Sequence, residues 1–292
     1  MHIDHFKVFC DLAETQSFSK AAALNGITQS AVSQKVRSLE SKVGVTLVDR
    51  GRRNFALTPE GIALLAASRE ILAIYNDLGT RLQTVRDVLG GELRVAVIFS
   101  IGLHELPLRL KAFRSKHPAV QVEVEFRRSP QVYQAVLDGE VDLGLVAYPA
   151  KRTGLAFEIF DEDEMVLIVP PAHPLASVES VSLARLAGEK FVSFEPDVPT
   201  RKIIDRFLRE HRVEIRTVME FDNIETVKRA VEVENGVSIV PANTVREEVK
   251  SGLLKMVRLA EPLSRPLGVI YQRNRARTSA QAEFIAALRA PQ

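Results

Sequence analysis

Through residues 1–58 apolar side chains recur at helical spacing in short runs broken by turn signals,. The first run carries Phe6, Val8, Phe9 and Leu12. The stretch SFSKAAALNGITQSAVSQKVRSLE, residues 17–40, then predicts two short helices, one from Ser19 to about Asn25 and one from Gln29 onward. Gly26 suits the left-handed turn that ends the first, and Thr28 is the expected N-cap of the second. Phe18, Ala22, Ile27, Val32, Val36 and Leu39 can pack the pair on the first helix. Gln29, Ser30, Ser33, Gln34 and Arg37 then face outward. A protein-interaction module fits this pattern, and so does a helix presented to the major groove, where amide, hydroxyl and guanidinium groups pair with base edges and phosphates.

A new pattern starts at Pro59. Glu60–Leu89 forms one long helical stretch whose apolar positions Ile71, Tyr75, Leu78, Leu82, Val85 and Leu89 step by four and three, a heptad seam,. An amphipathic helix on its own core is one outcome; a dimerisation helix is the expected one, because Gly90-Gly91 stops it and a different fold begins. From Glu92 strands and helices alternate. Strands are expected at 93–98, 120–126, 142–148, 164–170, 190–194, 217–221, 236–241, 254–259 and 267–272, and helices at 103–116, 130–138, 199–211, 223–234, 242–251 and 278–289,. That predicts an α/β fold with a mostly parallel sheet. A break near the acidic run 161–164 and a return through Pro262 and Pro266 predict two lobes joined by two crossing segments. The expected domains are 1–59, a linker helix 60–90, and 91–292, with lobe one at 91–163 and 266–292 and lobe two at 164–265.

Composition changes this picture little. The chain has 292 residues, 46% hydrophobic and 26% charged, with a formal net charge of +2, ordinary values for a globular protein of more than one domain. It has no apolar run long enough for a membrane span and no signal pattern at the N-terminus. A lone cysteine, Cys10, in an apolar context fits a buried thiol and a cytoplasmic setting,. Charge distribution is more telling: between Ser33 and Arg53 six bases stand against Glu40 and Asp49, a local basic surface suited to phosphates. The six histidines are scattered, and no metal-ligand spacing, phosphate loop or nucleophile elbow occurs,. No catalytic residue, metal or cofactor is expected.

Residues 1–60 resemble the winged helix-turn-helix of LysR-type transcriptional regulators. The resemblance rests on Phe6, Phe9, Ser17-Phe18, Ala21-Ala22, the run Gln29-Ser30-Ala31-Val32-Ser33, Val36 and Leu39-Glu40. It continues through Gly44, Leu47, Arg50, Arg53, Leu57-Thr58 and Gly61. Length and element order match that family throughout. The resemblance implies that Gln29, Ser30, Ser33 and Gln34 face base edges, while Arg37 and the wing residues Arg50, Arg52 and Arg53 contact phosphates or the minor groove. Ser30 stands where the family often has proline and Gln34 where arginine is common, so base preference does not carry over. It further implies a periplasmic-binding-protein-like effector domain, a cytoplasmic homodimer or homotetramer on pseudo-palindromic promoter DNA, and RNA polymerase as a further partner.

For the effector, ligands of open α/β sheets bind beyond strand carboxyl ends, at helix N-termini. Ser100 and Ile101 follow the strand at 93–98, Arg128 follows the strand at 120–126, and Thr200 and Arg201 open a helix of lobe two. Together they suit a small anion. Each has a plainer role open to it, Ser100 as a helix cap and the arginines in ion pairs, and Glu195 nearby suits an amine instead. The rival function is a small-molecule binding protein or enzyme whose N-terminal helices only mediate oligomerisation.

Overall fold

The computed structural model describes residues 2–49, 55–84, 90–273, 275 and 277–290, with the backbone alone for residues 73 and 76–84. The chain forms two compact units, one of Met1–Gly91 with Asp138–Glu140 and one of Glu92–Leu137 with Val141–Gln292.

The first unit opens with helices α1 (Ile3–Thr15), α2 (Phe18–Leu24) and α3 (Gln29–Val43). Phe6, Phe9 and Leu12 of α1, Ala21 and Ala22 of α2, and Val32, Val36 and Leu39 of α3 close a common core. Both polar caps satisfy first-turn amides: the Ser17 hydroxyl accepts from Lys20, and Thr28 Oγ1 accepts from Ala31 at 3.2 Å,. Gly26 takes the left-handed conformation, φ 62°. Beside it Asn25 Nδ2 donates to Asp11 Oδ2 at 2.6 Å, which ties the turn to α1. Strands β1 (Val48–Asp49) and β2 (Ala56–Leu57) pair antiparallel as the base of a wing. Glu40 Oε1 accepts from the Leu47 amide at 3.0 Å and fastens α3 to that base.

Helix α4 (Pro59–Thr84) starts with proline at its first position, where no amide is needed,. A Cβ at Gly61 would fall 2.1 Å from the Leu47 carbonyl oxygen, so only glycine lets α4 meet the wing base this closely. Leu64, Leu65 and Leu72 pack on the three-helix core. Ile71, Ile74 and Tyr75 stay exposed, at 38%, 67% and 55%. Ile71 and Tyr75 are positions of the expected seam. Leu78 and Leu82 fall where only backbone is described, and Val85 and Leu89 lie outside the described residues.

The second unit begins with β3 (Gly91–Val97), α5 (Phe99–His104), α6 (Leu106–Lys116), β4 (Val120–Phe126), α7 (Ser129–Leu137), β5 (Leu143–Ala147) and β6 (Leu155–Val169). It continues with β7 (Ser180–Val181), β8 (Lys190–Phe194), α8 (Pro199–Glu210), β9 (Arg216–Phe221), α9 (Ile224–Glu232) and β10 (Ser238–Pro241). A 3₁₀ turn at 242–245, α10 (Arg246–Lys250), β11 (Lys255–Leu259), β12 (Ser264–Gln272) and α11 (Ser279–Leu288) complete it. The strand order is β4-β3-β5-β12-β6-β11-β7, with β10 also on β6. Residues 155–164 of β6 pair with β12 in lobe one, and residues 165–169 pair with β10 and β11 in lobe two.

Three expectations need correction. The sheet is mixed: β3–β5, β7–β11 and β8–β9 are parallel, while β12 runs antiparallel to β5 and β6, and β6 antiparallel to β10 and β11. The long strand and its return cross between lobes in opposite directions, which imposes those antiparallel pairings. The strand expected to start at residue 164 starts at Leu155, so the acidic run 161–164 lies inside β6, with Asp163 buried and Glu162 and Glu164 exposed in strand alternation,. The helix expected over 103–116 is two, because Pro107 cannot donate an interior helical bond and sits in the first turn of α6 instead,.

Candidate functional site

On α3, Gln29, Ser30, Gln34 and Arg37 are exposed and Ser33 is half-buried, so the polar groups share the face opposite Val32, Val36 and Leu39. The Ser30 hydroxyl lies 2.9 Å from Thr28 Oγ1, which positions it at the start of the helix. The surroundings are cationic: burial lowers the His5 pKa, and Lys35 and Lys42 lower it further. The wing residues Arg50, Arg52 and Arg53 lie outside the described residues.

In the second unit a cleft, partly open to solvent, lies between the lobes. Its lobe-one wall carries Phe99 and Ser100 at the start of α5, and Arg128, Ser129 and Pro130 at the start of α7. Its lobe-two wall carries Pro199 and Thr200 at the start of α8, and Asn223 and Ile224 at the start of α9. Asn223 caps α9, its Oδ1 accepting from the Thr226 amide at 3.0 Å. Phe99 stacks on Phe126 with ring centroids 5.4 Å apart, and Gly102 leaves the room that Phe126 fills.

Arg265, on the crossing strand β12, also lines the cavity and is 2% exposed. Its Nη1 donates to Asp163 Oδ2 at 2.9 Å and its Nη2 to Ser100 Oγ at 2.5 Å. Asp163, opposite it on β6, accepts at its other oxygen from Asn243 Nδ2 at 3.1 Å. Burial pushes the Asp163 carboxyl up to about 6 against the pull of Arg265, and burial likewise lowers the Arg265 pKa,. The same burial takes the Tyr148 phenol nearby to about 12.

Among the described residues, Arg128 and His104 of lobe one both reach acids of lobe two. Arg128 bonds Glu195, with Asp197 at 3.7 Å and Asp222 at 3.8 Å. His104 Nε2 lies 2.8 Å from Glu225 Oε1. Burial raises the Glu225 pKa, but the bonds from His104 and Lys228 outweigh it and hold the carboxyl below its usual value.

Of the residues expected at an effector, Ser100, Arg128 and Thr200 line the cavity. Ile101 does not; it is 1% exposed and belongs to the core. Arg201 does not line it either: its guanidinium folds back on Asp205, Glu220 and the Phe194 carbonyl. Arg265 and Asp163 were missed. The signal was a charged residue on the inward phase of each strand, Arg265 beside Leu267 and Asp163 beside Met165.

The N-terminal helices match the bacterial regulatory helix-turn-helix protein, lysR family, over residues 3–62, and the remainder matches the LysR substrate binding domain over residues 86–291. The chain belongs to the LysR family. A "Probable RuBisCO transcriptional regulator" of Synechocystis sp. is 30% identical over 97% of this chain and 84% of its own length. Full-length OxyR of Pseudomonas aeruginosa shares the fold, with TM-score 0.79 at 20% identity over 99% of this chain and 93% of that one. The regulatory domain of Synechocystis PCC6803 CcmR in complex with 2-PG aligns at TM-score 0.63 and 25% identity, covering 68% of this chain and 95% of that one. As a LysR-type transcriptional regulator, the chain joins a DNA-binding helix-turn-helix to a two-lobed effector domain. No described helix is long and apolar enough to cross a membrane.

Proposed function

We propose that this LysR-type regulator reads pseudo-palindromic promoter DNA as a dimer and senses a small anion between the lobes of its effector domain. Gln29, Ser30, Ser33 and Gln34 meet base edges, and Arg37 with Arg50, Arg52 and Arg53 holds the phosphates. The uncovered apolar side chains Ile71, Ile74 and Tyr75 of α4 support dimerisation through that helix,, and effector domains join the dimers into a tetramer. The regulator works in the cytoplasm with RNA polymerase as its downstream partner and catalyses no reaction.

The observation that carries the effector class is the meeting of the N-termini of α7, α8 and α9 around a cavity that also holds the buried guanidinium of Arg265. Helix starts and a buried cation both favour negative charge. The 2-PG complex of the CcmR domain supports a small anion, and the RuBisCO regulator among the relatives supports RuBisCO genes as targets. Closure on the ligand changes the lobe angle, and linkage requires a matching change in DNA affinity or bend.

Calorimetry with 2-PG and a gel-shift titration of promoter DNA with and without it test this function. Saturable binding that shifts the DNA isotherm is the expected result. A chain that shows no salt-dependent binding to DNA refutes the DNA-reading half and favours an oligomerisation module. A cleft that takes amines and no anions refutes the effector half.

A further inference from the structure

The cavity wall contains three arginines in very different circumstances. Arg128 is half-exposed and already committed to Glu195, Asp197 and Asp222. Arg127 bonds Glu125 at 2.7 Å. Arg265 is buried, and of the five N–H donors of a guanidinium the structure engages one on Asp163 and one on Ser100. Its Nε is buried and has no partner among the described residues. Its two further Nη hydrogens are the donors that an anion in the cleft, which Arg265 lines, can take up,. Ser100 Oγ accepts from Arg265, so its own proton remains to donate to a ligand,.

We infer that Arg265, together with the Ser100 hydroxyl, seats the anionic group of the effector, and that Asp163 is the resident counter-ion with which that group competes. This rests on the proposal that the cleft takes a small anion, and it adds which residues hold the charge: a carboxylate or phosphate sits against β12 and not against Arg128 or Arg201. It also adds a route to the hinge. Asn243 belongs to lobe two, Asp163 to β6, Arg265 to β12 and Ser100 to lobe one. An anion that draws the guanidinium from Asp163 therefore loosens a chain of bonds running through both crossing strands.

The test is calorimetry on the full-length chain at pH 8, with 2-PG and inorganic phosphate as probes. Asp163→Asn keeps the guanidinium and removes its competing charge, so it should bind at least about 5-fold more tightly than wild type. Arg265→Gln should lose about 10- to 100-fold, the equivalent of a hydrogen bond to a charged group. The double variant removes both charges together and leaves neither buried alone, so it should fold by circular dichroism and still lose the anion. Asp163→Asn binding that is unchanged or weaker overturns the counter-ion role. A folded double variant that binds like wild type overturns the Arg265 seat while the anion-sensing cleft stands. A wild type that binds no small anion overturns both.

Discussion

Replacing Ser100 with alanine should destabilise the effector domain even without ligand. Ser100 Oγ accepts from Arg265 Nη2 at 2.5 Å, and Arg265 is 2% exposed, so the alanine leaves a mostly buried charged donor without its protein acceptor. A hydrogen bond to a charged group contributes about 1.5–3 kcal/mol, and a buried donor left without its acceptor costs a similar amount. For a domain of some 200 residues each kcal/mol moves the midpoint by roughly 2–4 °C, so the expected drop is roughly 3–12 °C. Thermal melts of the ligand-free chain measure it. The cause is separated from general damage by a double-mutant cycle with Arg265→Gln, because in that background the hydroxyl has no guanidinium to serve. A coupling of at least about 1 kcal/mol is expected for groups in direct contact. A Ser100→Ala midpoint within 1 °C of wild type, or additive single and double variants, would show that the contact does not hold the domain together.

Two further outcomes follow from the same structure. Gln34→Ala, on the exposed face of α3, should alter discrimination at one or two base pairs by about 1–3 kcal/mol each; gel shifts in which operator and random DNA keep their wild-type affinities would remove α3 from the groove. The second is acid dependence. The Asp163 carboxyl is raised to about 6 in the folded chain from 3.8, so the folded state binds the extra proton in that window. Its contribution to stability is present below about pH 4 and is lost as pH rises through 6, on the order of 2–3 kcal/mol. Urea melts from pH 4 to 8 should show wild type losing stability relative to Asp163→Asn across that range, and parallel curves would exclude Asp163 as the titrating group.

What the sequence reveals, and what it hides, follows from how local each interaction is. The helix pair was legible because Thr28 bonds Ala31, Gly26 turns left-handed and the apolar positions recur within one or two turns. The exposed Gln29, Ser30, Gln34 and Arg37 follow from the same periodicity. Arg265 was not legible, because its partner Asp163 is 102 residues away and the pairing exists only through the β6–β12 register. A charged run in mid-sequence resembles a solvated hinge until the facing strand is known. Arg201 misled for the opposite reason. It opens a helix, as a ligand residue would, but its long side chain reaches along the helix to Asp205, four residues on, and across to Glu220. Ile101 was placed beside Ser100, yet one residue along a helix turns a side chain by about 100°, from cavity to core.

The same division bears on what evolution can change in such a protein. Local signals fix where the cleft is: strand ends and helix starts lie at its rim whatever the side chains, so the position of the site follows from topology. Its selectivity depends on a non-local pair, since Arg265 without Asp163 is an unbalanced buried cation, and Asp163 without Arg265 an unbalanced anion,. A change of effector charge therefore requires paired substitutions on β6 and β12. Those are also the two strands that cross between the lobes. Altering what the regulator binds must then also alter how the lobes are held, so ligand choice and the strength of the response cannot be tuned independently at this position.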